Sequence, residues 1–245
     1  MAISFIAGGR SYNVADSTAY SITHGLTLAV GDVLVASIEV NTAPGGETLT
    51  SDSSLFTNSI SGGGSFAIGA PEARHWIFHR VVASSSEPTY AWTSNVSSAF
   101  SLLLLQFRGV KTTAPWDVQP AAATAAAGTS ATSTAPTITI GVGGACALML
   151  GTVGSGTYDN TGVGIAGTNI RITGNTITNS YSDSFVYYTL TPARTQAVWW
   201  RTGMSTGAVG TTSYTMIGDG WSAIQCSLQP EPGFSGLTVT RLLQG

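Results

Sequence analysis

The chain predicts an all-β fold: an antiparallel β-sandwich, jelly-roll-like, built from two similar halves. Three observations carry this expectation. No convincing run of apolar residues recurs at i, i+3, i+4 and i+7, so helix periodicity is nearly absent. Short runs rich in β-branched and aromatic residues are separated by Gly, Ser, Asn and Asp clusters, as in sandwiches and barrels. The same order of strand-like runs also occurs twice along the chain.

In the first half the runs are Gly31–Val40, Trp76–Val82, Tyr90–Thr93 and Ser98–Leu105. Leu34, Ala36, Ile38 and Val40 alternate with positions that turn polar at Ser37 and Glu39, which reads as a strand with one face on a core. Phe100 to Phe107 is apolar on both parities and predicts a central strand covered on both faces. The second half repeats the order with Gly144–Leu150, Ser184–Leu190, Ala197–Arg201 and Trp221–Cys226. The clusters Ser61–Ser65 and Gly151–Gly156 read as loops.

Residues 121–135 are rich in Ala and Thr, with no charge and no amphipathic face, and read as an extended connection between the halves. Each half offers about four good strands, which leaves one apolar sheet face exposed. Packing the halves together buries both faces. The expected organisation is therefore one sandwich over residues 1–229, with halves 1–120 and 136–229. A C-terminal arm, 230–245, begins with a Pro-Glu-Pro-Gly break and turns apolar again at Phe234, Leu237, Val239, Leu242 and Leu243. Such an arm pairs either with its own sandwich or with a neighbour.

Composition narrows the function classes. Charged residues are 9% of the chain, against about 25% in an average soluble protein. Lys111 is the only lysine, and the formal net charge is −3. That balance gives no electrostatic footprint for nucleic acid. No segment reaches the roughly 18 consecutive apolar residues of a membrane span. Met1–Arg10 has no basic n-region and too short an apolar run for a signal peptide, so folding in a cytoplasm without Sec export is expected.

The residue types that carry chemistry do not assemble into a motif. His75 and His79 lie on a strand-like run, where a four-residue spacing separates them by about 13 Å, too far to share an ion. His24 precedes Gly25 and looks like a turn residue. Cys146 and Cys226 have no nearby Cys or His partner and read as small buried core residues. Gly154-Ser155-Gly156 lacks the strand, elbow and helix of a hydrolase nucleophile. The loop Tyr158–Gly162 has too few acids for a convincing calcium site. No metal, cofactor or catalytic residue is expected. The candidate surface contacts are tryptophans. Trp116 follows a Pro-containing turn and either packs over the sandwich end or stands exposed. Trp199 and Trp200 are adjacent, so one of them leaves the core and needs cover from a loop, a neighbouring subunit or a ligand such as a sugar ring.

The segments Gly31-Asp32-Val33-Leu34-Val35-Ala36, Tyr90-Ala91-Trp92 and Phe107-Arg108-Gly109-Val110-Lys111-Thr112-Thr113-Ala114-Pro115-Trp116-Asp117 resemble a β-sandwich module of bacteriophage virion proteins and secreted bacterial surface proteins. The resemblance spans most of residues 20–229. Lys111 departs from it where Asp is common, and the arm lies outside it. The module has no shared catalytic residues. The resemblance implies a displayed structural or adhesive module. With no signal peptide, very few charges and one module taking up the whole chain, a bacteriophage virion structural protein is expected, on the tail, baseplate or fibre, or decorating the head. Its expected partners are other virion proteins, copies of itself and a host surface glycan, with no nucleic acid and no membrane. The alternative is a carbohydrate-binding or carbohydrate-cleaving module.

Overall fold

The computed structural model describes residues 1–40, 47–52, 55–68, 73–87, 89–129, 132–154, 164–165, 168–169, 183–188, 194–215 and 220–232. Its strands in chain order are β1 (Ser4–Thr23), β2 (Val33–Val40), β3 (Leu49–Ser51), β4 (Thr57–Asn58), β5 (Phe66–Ile68), β6 (Ala73–Val81) and β7 (Thr89–Arg108). There follow β8 (Trp116–Val118), a 3₁₀ turn (Ala122–Thr124), β9 (Ala125–Gly128), β10 (Thr132–Ala135), β11 (Ile138–Ile140) and β12 (Ala145–Gly154). The last are β13 (Gly164–Ile165), β14 (Thr168–Asn169), β15 (Asp183–Tyr188), β16 (Arg194–Met204), β17 (Gly207–Val209), β18 (Thr212–Thr215) and β19 (Gly220–Leu228).

Two antiparallel sheets form the sandwich, each drawn from one contiguous half. The first runs β1-β7-β2-β6-β4, with β3 added on β7 and β5 on β6. The second runs β15-β16-β12-β19-β8, with β9 added on β19. The halves share one topology. β2 and β12 are the central strands, β6 and β16 flank them on one side, and the closing strands β7 and β19 flank them on the other. The repeated order in the sequence is therefore a repeated sheet.

The inner faces meet in a dry core. Val33, Val35, Leu103, Leu105 and Phe107 of the first sheet pack with Cys146, Leu148, Leu150, Ile224 and Cys226 of the second. Each fully buried aliphatic or aromatic side chain contributes about 1.5–3 kcal/mol. β7 is an interior strand covered on both faces: Leu103 and Leu105 enter this core, while Leu102 and Leu104 enter another behind the first sheet.

That second core arises from a long bent ribbon. β1 and β7 are each 20 residues and pair from Ser4↔Arg108 to Thr23↔Thr89, with register shifts between Asn13, Ser17 and Ala19. Bulges bend a ribbon. Tyr20, Ile22, Tyr90 and Trp92 consequently fold back over Leu34, Ile38, Trp76, Phe78 and Leu104. β2 is thus covered on both faces, with Ser37 and Glu39 as buried as Leu34. The expectation of one solvent-facing side on this strand is corrected: the ribbon supplies the second cover.

The Ala/Thr-rich stretch 121–135 contributes secondary structure. β9 pairs with β19 from Ile224↔Ala125 to Trp221↔Gly128, and β10 pairs with β18. With no charge and few bulky side chains, it lies flat against the second half. The sandwich also holds the chain past residue 229. Pro230 bridges Val110, and Glu231 donates its backbone N–H to Gly109 O at 2.8 Å. Phe234, Leu237, Val239, Leu242 and Leu243 lie outside the described residues, as does the Tyr158–Gly162 loop.

Candidate functional site

At one end of the inter-sheet core, the apolar rows give way to polar ones. Cross-strand partners share a face, so Ser37, Glu39, His75 and Ser101 all point from the first sheet toward the second. Gln196 and Ser222 meet them from β16 and β19. All six are at most 2% exposed.

Their hydrogen bonds form one directed chain. The Ser37 hydroxyl donates to Gln196 Oε1 at 2.7 Å, so its proton is not available to His75. His75 Nε2–H must then donate to Ser37 Oγ, at 2.7 Å. That leaves Nδ1 to accept from the Ser222 hydroxyl at 2.9 Å. Gln196 Nε2 donates to the backbone oxygen and the hydroxyl of Ser101, at 2.8 and 2.7 Å, and Ser101 donates to Glu39 Oε2 at 3.4 Å. The chain crosses the sandwich three times and needs a neutral His75. Burial pushes the imidazole down to about 3.

A serine 2.7 Å from an imidazole has the spacing of a nucleophile and base. The proton traffic argues against that use. Ser37 aims its proton at Gln196, His75 is oriented by a hydroxyl and not a carboxylate, and both are sealed from solvent. The arrangement joins the sheets and satisfies buried polar groups.

Further along the same seam, His79 Nδ1 accepts from Ser59 Oγ at 2.8 Å and from Trp116 Nε1–H at 3.3 Å. Burial lowers the pKa of His79. Trp116 is half-buried with its ring edge-on to this imidazole, so it packs over the sandwich end. Of the two places expected for Trp116, this is the one over the sandwich end. Trp200 is buried in the inter-sheet core, its ring centroid 4.1 Å from that of Phe5. Trp199 points the opposite way, in one cross-strand row with Met149 and Gln225. On that side the Gln225 amide donates to Pro136 O and Gly210 O, holding the β10–β11 and β17–β18 connections over the sheet. Trp199 is 1% exposed. Both tryptophans are corrected as surface contacts, because the chain itself supplies the cover.

The residues of the resemblance hold the fold. Asp32 is buried and accepts from Arg108 Nε and Nη2 at 2.7 and 2.8 Å, from Gln106 at 2.6 Å and from Ala29 N at 2.8 Å. Burial pushes its carboxyl up, but these donors outweigh burial and hold it below the usual value. Gly109 adopts φ +80°, and a Cβ there would clash with the backbone oxygen of Ala2. Asp117 accepts from Ser227 Oγ and Gly141 N, both at 3.0 Å.

Cys146 and Cys226 are buried thiols on neighbouring strands with no disulfide between them, and burial together with Cys146 pushes the Cys226 thiol up. No group of three or more His, Cys, Asp or Glu able to hold a metal gathers among the described residues. No protein-family model, curated protein or solved structure matches the chain.

Proposed function

We propose that this chain is a structural component of a bacteriophage particle, displayed on its surface on the tail side. The observation that carries the reading is where the resembling residues stand. Asp32 and Arg108 clamp the start of β2 to the end of β7, Gly109 seats the N-terminal segment, and Asp117 ties β8 to β19. The likeness is therefore to the hardware of a sandwich. Its chemically capable side chains are spent inside: the Ser37, His75 and Glu39 groups suture the sheets. With only 9% charged residues, the chain offers little like-charge repulsion to dense packing of identical subunits.

Less supports the carbohydrate reading, since Trp199 and Trp200 are buried and Trp116 is half-buried against His79. Immunogold labelling of particles with antibodies against the folded chain tests the proposal. Label at the tail supports it. Label on the head moves the chain to decoration, and unlabelled particles overturn the reading.

A further inference from the structure

His79 stands half-buried on the inner face of β6, opposite Val35 of β2 and Thr57 of β4. Its Nδ1 receives two donors, Ser59 Oγ at 2.8 Å and Trp116 Nε1–H at 3.3 Å. An indole N–H can only donate. Nδ1 therefore carries no proton, and the neutral ring keeps its proton on Nε2.

A second proton can be added only at Nδ1, between these two donors. The Ser59 hydroxyl can rotate and accept it, but the indole N–H has no acceptor to offer. Donor then meets donor, and a charge stands at the edge of the apolar core against which Trp116 packs. Among the described residues no charged side chain faces the ring to offset that charge. β2 presents Val33 and Val35, β4 presents Thr57, the turn after it Ser59, and β8 Trp116. Asp117, beside Trp116, turns its carboxylate to Ser227 and Gly141. His75, the other titratable group on this face of β6, is held by Ser37 and Ser222, and Glu39 accepts from Ser101. The backbone around the indole has its own anchors. Gln229 N donates to Pro115 O at 2.8 Å, Val118 N to Ser227 Oγ at 3.1 Å, and the Gln119 amide to Ser59 O at 2.8 Å. The ring can leave while the strand stays.

We propose that His79 is an acid-operated latch on Trp116: protonation at Nδ1 turns the indole out of the seam into solvent, while β8 remains on β19. Burial lowers the pKa of His79 from 6.5 in the closed latch, and hydration in the open one returns it toward that value. The open fraction therefore grows as pH falls below 6.5, by up to about tenfold per pH unit, until the closed-state pKa is passed. The latch does not depend on where the chain is displayed.

Fluorine NMR of the chain labelled with 5-fluorotryptophan tests it between pH 7.5 and 5. Three proteins are compared: the parent, Trp116→Phe, which identifies the Trp116 resonance, and His79→Gln, whose amide oxygen can accept from the indole but does not titrate. In the parent, the Trp116 resonance should gain the water-to-deuterium-oxide shift of an exposed ring as pH falls, while the buried tryptophans keep theirs. In His79→Gln it should stay shielded throughout. Where that variant does not fold, the parent alone decides, because the ring nitrogens of His79 must titrate with the same midpoint as the exposure of Trp116. A Trp116 ring equally shielded at both ends of the range, equal opening in His79→Gln, different midpoints, or exposure of all the tryptophans together overturns the proposal.

Discussion

Acidification should pull the two sheets apart, and the directed hydrogen-bond chain sets the size of the effect. His75 is fully buried and donates to Ser37 while accepting from Ser222, an arrangement only the neutral imidazole can make. Its folded pKa is about 3, against 6.5 for an unperturbed imidazole. Below pH 6.5 the unfolded chain binds a proton that the folded chain refuses. Stability is therefore fully present above pH 6.5 and falls as pH drops toward 3, by about 1.4 kcal/mol per pH unit for this one group. Between pH 6.5 and 4.5 the loss is about 3 kcal/mol. Glu39 is the cross-strand neighbour of His75 and joins the network through Ser101. Burial also lowers His24, against an opposing influence of Glu87, and lowers His79, so both add in the same direction. Asp32 has a lowered folded pKa, so its contribution is lost only as pH falls below its ordinary value of 3.8, outside this window. Urea denaturation at pH 7, 6, 5 and 4.5, on the parent and on His75→Gln, measures the effect. The variant should be somewhat less stable at pH 7, and its fall to pH 4.5 should be smaller than the parent's by about 3 kcal/mol. A parent whose stability is flat across this range, or a variant with the parent's slope, would refute the reasoning.

Leu103→Ala opens a cavity in the inter-sheet core and Trp92→Ala one under the ribbon; each should cost about 3–5 kcal/mol in chemical denaturation, and losses below about 0.5 kcal/mol would mean the faces are misassigned. Gly109→Ala should destabilise by more than about 2 kcal/mol, since it combines a left-handed backbone with a clash on Ala2, and Gly144→Ala, also at positive φ but with only Pro230 side-chain atoms at 3.6 Å or more, should cost less. A melting curve in EDTA should superimpose on the curve without it; a sharp fall would reveal a metal the described residues do not account for.

The sandwich and its repeat were legible because period-2 patterning and β-branched runs are local signals, and β2 and β12, with their flanking strands, carry them strongly. β1 was not legible. Gly8, Gly9, Ser11 and Asn13 give it a weak apolar pattern, and it is held by pairing with a strand some ninety residues away. The bent ribbon was hidden for the same reason, so Ser37 and Glu39 read as solvent-facing. A polar residue on an inward position looks like one on an outward position until its partner is known. Here the partners are Gln196 and, through His75, Ser222. The parity rule separated Trp199 from Trp200 correctly, but it could not tell whether the chain or a ligand covers the outer one.

Mass spectrometry of gradient-purified phage particles from a lysate that expresses this chain tests the central claim most directly. Its peptides should appear in the particle band, at an abundance comparable to known structural subunits, and stay there through a high-salt wash. Peptides confined to the soluble lysate, with none sedimenting with particles, would contradict it.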